Sequence, residues 1–509
     1  MSGPSTRDGA GDLAHAARRG FVVTGGSFIT RAGLEFGTSV ALARLLSPSD
    51  FGVVAVGQAF LQLSYVVGNL GMGAAVVQAR DLGETERRTA ATVATGTAIL
   101  LALACALASP WAATFFAMPI LKRAMPIMAI EIVMQGLSAT PVAILRRQLK
   151  YGRAAMVDAG QAVVYAATAI ALAFLGYGVW SLVFTPLVSG TWSVVASHAF
   201  AGQRPRFGFD RSAAARLLGY GGSLTLKNLF VHMARQADNL VVAKRLGEYA
   251  TGLYTRAFSL STLPQSRLVS LIYNVSFPVF CRLRDDRERF HAWYLKATTA
   301  AAVVVTPLLL GLAVVAPDFT VVVYGEAWAD MAGCLRLLCL AGLLNSIHML
   351  GGAAIEASGR VRYEVTAQSI YGCSILVGAL VGSRWGITGV GAGVLAAALV
   401  FYVNKGLALR RAIDLPIDAF LRAAAPALLC GLIMVGVVLA AVAVATGSGI
   451  ATTPVARLLV AVPVGAAAYG LCLATIARRA LQMVLEQVAA YRRGDRGAAE
   501  RGATAGEPA

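Results

Sequence analysis

The stretch Gly219–Phe280 reads GYGGSLTLKNLFVHMARQADNLVVAKRLGEYATGLYTRAFSLSTLPQSRLVSLIYNVSFPVF, and it decides what kind of molecule this chain makes. Its two apolar segments, about 217–243 and 251–277, have the length of roughly 20 residues that crosses a hydrocarbon core. Yet they carry Lys227, His232, Arg235, Asp238, Arg256 and Arg267 where a lipid-facing helix carries leucine. A charge at membrane depth is costly and persists where it faces a water-filled cavity or a partner. The stretch is expected to form part of the wall of a polar cavity inside a membrane protein.

The rest of the chain supports that reading. Of its 509 residues 57% are hydrophobic and 14% charged, about half the charged share of roughly 25% in a soluble domain. Apolar runs alternate with short polar breaks and predict an all-α polytopic membrane protein of about 14 transmembrane helices. A polar, disordered N-terminus covers 1–19 and an N-lobe of six helices 20–200. A linker at 201–216 and a C-lobe of six helices at 217–410 follow, then two further helices within 411–478 and a polar tail at 479–509. Arg18-Arg19 before an apolar run has the look of an export signal, but many further spans follow, so the first helix is expected to stay uncleaved.

The formal charge of +18 would suggest nucleic acid in a soluble protein. Here no aromatics interleave with a basic groove, and the charge follows the positive-inside rule. With both termini cytoplasmic, the segments on that side hold 31 of the 44 Lys and Arg, Lys405 being counted in a loop at 405–422. The opposite loops hold six: Arg44, Lys122, Arg123, Lys244, Arg245 and Arg384. Seven remain inside predicted spans, Arg31, Lys227, Arg235, Arg256, Arg267, Arg336 and Arg457. Arg457, near a helix end, is expected to snorkel to the interface.

The chain also repeats itself. Gly25-Gly26-Ser27 with Arg31 matches Gly221-Gly222-Ser223 with Lys227, and Ala43 to Gly52 matches Ala243 to Gly252 at an offset of 200 residues. Gly178-Val179-Trp180-Ser181 is echoed by Gly386-Ile387-Thr388-Gly389. Six helices separate equivalent positions, so the two copies share one membrane orientation, a parallel repeat of the kind transporters use with the site between the halves.

Positions eleven apart on an α-helix return to within about 20° of one another. Arg256 and Arg267 stand in that relation, as do Lys227 and Asp238, while Arg235 with Asp238 and Arg31 with Glu35 have pairing distance along one helix. Arg31, Glu35, Lys227, Arg235, Asp238, Arg256 and Arg267 are therefore the candidate substrate-binding residues of a central cavity. Its basic excess suits an anionic occupant, phosphate or pyrophosphate first, because the guanidinium fork binds such oxygens bidentately. The alternative is that these residues tie helices together as internal ion pairs. Pro264, between two of the arginines, is the candidate hinge. Gly33-x-x-x-Gly37 and Gly389-x-x-x-Gly393 read as close-packing helix faces. His232 and His348 are expected to be hydrogen-bonded packing residues, with proton coupling the alternative.

Seven cysteines without a CxxC pair read as small buried hydrophobes. No metal-ligand cluster, P-loop or nucleophile elbow is present, so no catalytic residue, metal or cofactor is expected, and the chain does not read as an enzyme. Asp285-Asp286 is a solvated charge run rather than a metal site.

At Ala43-Arg44-Leu45-Leu46-Ser47-Pro48-Ser49-Asp50-Phe51-Gly52, and again at Gly71-Met72-Gly73-Ala74-Ala75-Val76-Val77-Gln78, the chain resembles the bacterial polysaccharide transporters of the MOP exporter superfamily. Those are the Wzx-type flippases of O-antigen and exopolysaccharide precursors, and the colanic-acid-exporter-like branch is the best match. Leu145 to Tyr151 with Asp158, and Gly176 to Val183, also look like that branch. The resemblance implies an inner-membrane protein whose two helical bundles form a V around a central cavity. It implies a flippase that carries undecaprenyl-pyrophosphate-linked oligosaccharide between leaflets by alternating access, drawing on an ion gradient or the membrane potential. The coupling ion, H+ or Na+, is not specified. Membrane lipids, a polymerase and other polysaccharide-assembly proteins are the implied partners. A multidrug or small-solute antiporter of the same superfamily is the alternative, but it would prefer an acidic cavity. A membrane glycosyltransferase or polymerase would need a large loop with paired catalytic residues.

Overall fold

The computed structural model describes residues 33–68, 83–148, 150–202 and 207–478, together with 482, and of these the backbone alone at 65–68, 213, 215–235 and 417. Every regular element among them is a helix. In unit 1, residues 1–252, α1 covers 33–45 in its described part. It is followed by α2 (Pro48–Gly68), α3 (Glu84–Phe115), α4 (Leu121–Arg147), α5 (Tyr151–Phe174) and α6 (Val179–Ala201). A long helix, α7 (Arg211–Pro264), passes from unit 1 into unit 2, residues 253–509. Its continuity is broken at Gly247, whose φ of 84° is open to glycine without steric cost. A π-turn at Gln265–Val269 leads into α8 (Ser270–Arg282). Unit 2 continues with α9 (Arg287–Phe319), α10 (Met331–Ala357), α11 (Val361–Gly382), α12 (Gly386–Ile413), α13 (Ile417–Gly447) and α14 (Pro454–Thr475).

Local chemistry sets the ends of these helices. Ser47 and Asp50 make a reciprocal cap ahead of α2. The Ser47 hydroxyl donates to Asp50 Oδ2 at 2.7 Å, the Ser47 N–H donates to the same oxygen, and Pro48 takes the first helical position. Asp286 accepts from the Arg289 N–H at 3.0 Å and so caps α9, which gives the Asp285-Asp286 run a structural use.

Among the described residues nine helical stretches are long and apolar enough to cross a membrane. Their outward faces are apolar: Leu107 is 79% exposed, and Leu100, Phe174, Val444 and Leu459 are exposed as well. Water would not tolerate so extensive an apolar exterior, whereas lipid does. This is a multi-pass, all-helical membrane protein. All seven cysteines are free, but Cys281 and Cys373 are exposed and Cys472 is half-buried rather than buried as expected, and the described residues hold no metal-ligand cluster.

Helix pairing follows the same order in each unit. In unit 1, α3 packs on α4, α4 on α6 and α5 on α6; in unit 2, α9 packs on α10, α10 on α12 and α11 on α12. A six-helix shift relates the two sets. The α11–α12 contact is made by glycines. A Cβ at Gly393 would lie 2.1 Å from Gly378 O, and one at Gly389 would lie 2.2 Å from Gly382 O, so only glycine allows the backbones this close. At Gly33 and Gly37 nothing described lies within 4 Å.

Lys405 departs from the sequence reading. It is not a loop residue: α12 runs on to Ile413, and Lys405 is 1% exposed within it. Arg457 does not snorkel alone either; it pairs with Asp318, at 2.8 Å and 2.9 Å.

Candidate functional site

In unit 1 the polar groups lie along the contact of α2 with residues 236–252 of α7, which run antiparallel. At one end Gln236 Nε2 donates to Gln62 Oε1 at 2.6 Å, and Asn239 Nδ2 donates to Gln236 Oε1 at 2.8 Å. In the middle Val53, Val56 and Ala243 share a buried core with Met125 and Met128 of α4. At the other end the backbones touch: a Cβ on Gly52 would lie 1.8 Å from Glu248 O, and one on Gly252 would lie 1.8 Å from Pro48 O. Lys244 lies over the Phe115 ring and donates to Phe115 O beside this end.

Of the candidate residues, Asp238 lies on this segment of α7, 1% exposed, its carboxylate accepting from the Asn239 N–H at 2.9 Å. Glu35 is half-buried on α1. Arg31 lies outside the described residues, as do the side chains of Lys227, His232 and Arg235, and with them the Arg31–Glu35 and Arg235–Asp238 pairings.

In unit 2, Arg256 is half-buried near the end of α7 and Arg267 is half-buried inside the π-turn. Pro264 sits where the α-helix gives way to that turn. A π-turn inserts an extra residue into the helical register, and Arg267 lies inside it, three residues past Pro264. Beyond the turn, Tyr273 Oη donates to Glu356 Oε2 at 3.5 Å.

Sequence reasoning missed a seam of polar side chains where α9, α10, α11 and α12 meet. Lys405 on α12 pairs with Glu364 on the first turn of α11, and both are buried. Gln368 Nε2, one turn on, donates to Glu364 Oε1 at 3.0 Å. Asn345 Nδ2 on α10 donates to the Tyr371 hydroxyl at 2.7 Å. His348, 1% exposed, stands among the rings of Phe401, Tyr402 and Phe420. Among the described residues neither of its nitrogens has a hydrogen-bond partner, against the hydrogen-bonded packing role expected for it. A signal for Lys405 was present: Gly406-Leu407-Ala408-Leu409 continues the apolar run past it.

Comparison with known proteins fits this architecture. Residues 41–333 match the family described as Polysaccharide biosynthesis protein. The chain belongs to that family. It is 24% identical over 367 residues to the lipopolysaccharide biosynthesis protein WzxC of Escherichia coli (strain K12), a match covering 70% of this chain and 74% of that protein. It is 28% identical over 316 residues to the succinoglycan biosynthesis transport protein ExoT of Rhizobium meliloti (strain 1021), covering 62% and 64%. Among solved structures it shares its fold with lipid II flippase MurJ, with a TM-score of 0.70 at 16% identity over 91% of this chain and 99% of that one.

Proposed function

We propose that this membrane protein is a flippase that moves a lipid-linked oligosaccharide, an O-antigen or exopolysaccharide precursor on undecaprenyl pyrophosphate, across the bacterial inner membrane by alternating access. The observation that carries the reading is the pair Arg256 and Arg267, half-buried guanidinium groups on the helical segment that opens unit 2, in a member of a polysaccharide biosynthesis family. Arginine inside a span suits a pyrophosphate, whose charge it meets and whose oxygens it binds bidentately. Arg31, Glu35, Lys227, Arg235 and Asp238 complete the proposed site, with Pro264 its hinge. The lobes are 20–200 and 217–410, and both termini face the cytoplasm. Transport rather than catalysis accounts for the chain, and a polymerase would take the product on the far side.

Replacement of Arg256 and of Arg267 by Ala, one at a time, tests the reading in cells. Surface polysaccharide should fall, with the lipid-linked precursor stranded in the cytoplasmic leaflet. Wild-type export in both variants, at wild-type protein levels, would refute a role for this pair in holding the substrate.

A further inference from the structure

At the end of unit 2 where α10 gives way to α11, arginines outnumber the carboxylates that neutralise them. Arg287, Arg289 and Arg422 each have an acidic partner, in Asp414, Asp286 and Asp418. Arg284, Arg360 and Arg362 are exposed and have none among the described residues. They nevertheless converge. Gly359 turns the chain between α10 and α11 with a φ of 77°, and a Cβ there would lie 3.1 Å from Arg284 Nη2, so the glycine lets that guanidinium rest against the turn. Arg360, the next residue, donates through Nη1 to Arg411 O at 2.8 Å. Arg362 lies 4.9 Å from the centre of the Tyr363 ring and donates through Nη2 to the Tyr363 hydroxyl at 3.2 Å. The carboxylates that flank the turn along the chain are engaged elsewhere: Glu356 accepts from Tyr273 Oη, and Glu364 pairs with Lys405. Even with Asp285 next to Arg284 in the sequence, the group keeps a positive excess.

The arginines meet around an open depression of about 550 Å³ lined by Gly359, Arg360, Val361, Arg362 and Tyr363, a volume within the range of small-ligand sites. Arg360 and Arg362 are each held by a neighbour through one nitrogen, which leaves most of the five N–H donors of each guanidinium unused. A phosphate diester needs this arrangement: several fork-shaped donors, fixed before the ligand arrives, and no competing carboxylate among them. The depression also opens onto an apolar wall. Val361 in its lining is exposed, as are Val365, Leu376 and Leu380 farther along α11. Together with Arg362 these positions fall within about 100° of one another around the helix, on the outward face that lipid covers. A basic depression at the head of a lipid-facing strip selects a ligand that is anionic at one end and apolar along the rest. A soluble anion or an acidic protein segment would leave the strip unused.

We propose that this depression is the headgroup site of an anionic phospholipid, its phosphate bound by Arg284, Arg360 and Arg362 and an acyl chain laid along the outer face of α11. The phosphate oxygens accept from the guanidinium N–H groups, and the negative charge of the ligand relieves the mutual repulsion of the three arginines. A zwitterionic phospholipid carries the same phosphate, but its ammonium brings a further cation to the cluster, so the site discriminates by net headgroup charge. Basic pockets at the ends of membrane-spanning helices hold anionic headgroups in this way. The orientation proposed above puts the lipid in the cytoplasmic leaflet, and only that assignment rests on the flippase reading; the residues of the site all belong to unit 2.

The test uses the full chain purified in a non-ionic detergent, with phosphatidylglycerol and phosphatidylcholine of identical acyl chains as probes and native mass spectrometry to count the lipids retained. Wild type should retain phosphatidylglycerol in preference. An arginine beside an anionic headgroup contributes about a fivefold factor in affinity. Arg284→Gln alone should therefore weaken retention about 5-fold, and Arg284→Gln/Arg360→Gln/Arg362→Gln about 100-fold. Lys122→Gln/Arg123→Gln/Arg384→Gln removes the same charge from exposed positions elsewhere and should leave retention at the wild-type level. Should the triple Arg variant not fold, Arg284→Gln changes one exposed side chain and keeps the test decisive. Equal retention of the two lipids, the outcome expected of a docking surface for an acidic protein, would overturn the proposal. So would wild-type retention in Arg284→Gln, or an equal loss in the Lys122, Arg123 and Arg384 variant. Displacement of the bound lipid by inorganic phosphate, but not by chloride at equal ionic strength, would mark a site for a soluble anion and overturn it too. The measurement needs neither substrate nor transport, so its failure is distinct from a failure of the flippase reading.

Discussion

Gly52→Ala should force apart two segments that the native backbone holds in direct contact. The added Cβ would sit 1.8 Å from Glu248 O and 2.7 Å from its carbonyl carbon, against an ordinary C···O separation of about 3.3–3.6 Å. The obstacle is backbone at both atoms, so no side chain can rotate away and the segments must separate by roughly 1.5 Å. Overpacking of this kind costs about 1–3 kcal/mol, and at the upper part of that range the contact weakens roughly 30- to 150-fold. Gly252→Ala should act alike, its Cβ lying 1.8 Å from Pro48 O. Because either change parts the same two segments, Gly52→Ala/Gly252→Ala should weaken the contact about as much as one of them, not by the sum. The Gln62–Gln236 hydrogen bond, farther along the same helix pair, supplies the reporter. Cysteines at those two positions, with the exposed Cys281 and Cys373 replaced by Ser, should be joined readily by a short bifunctional thiol reagent, and each glycine variant should slow the joining. Unchanged joining in both single variants, or an additive effect in the double, would refute the reasoning.

Lys405→Met leaves the Glu364 carboxylate buried without its partner and should lower stability by about 3–5 kcal/mol. Lys405→Met/Glu364→Gln should recover most of that loss, as thermal unfolding of the solubilised protein would show. Asp318→Asn breaks a pair whose side chains are 31% and 20% exposed, and it should cost less than about 1 kcal/mol, leaving the thermal midpoint and export near wild-type values.

The helical class of this protein was legible because apolar runs of spanning length, set off by polar breaks, permit little else in a chain with so few charges. The α11–α12 contact could be read from Gly389 and Gly393, because close helix packing depends on one residue type at fixed spacing, whereas the Ser47–Asp50 cap that starts α2 at Pro48 was present in the sequence but not read as one. Charge placement was less legible. Lys405 was counted with a loop because a Lys near Arg410 and Arg411 has the composition of a cytoplasmic end; only the course of α12 to Ile413 shows that it points into the protein. Nothing in Gln265–Val269 announces the π-turn that interrupts the helix between Arg256 and Ser270. His348 looked like a packing residue because hydrogen-bond satisfaction depends on partners from other helices, which a single stretch of sequence does not name.

The contact at Gly52 and Gly252 joins the sequence repeat to the structure. Over this part of the chain equivalent positions are 200 apart, so Pro48 corresponds to Glu248 and Gly52 to Gly252. Gly52 touches Glu248 while Gly252 touches Pro48, so each contact is the other with the two copies exchanged. A twofold-like relation between duplicated segments requires this reciprocity, and an arbitrary meeting of two helices does not. It also explains why both positions need glycine: the same close approach is made twice, once from each copy. The two approaches are tied to the same backbones within a few residues, so one cannot open while the other stays closed. If the segments part during a transport cycle, they part at both glycines in a single step, and a substitution at either one biases the whole step toward the parted state.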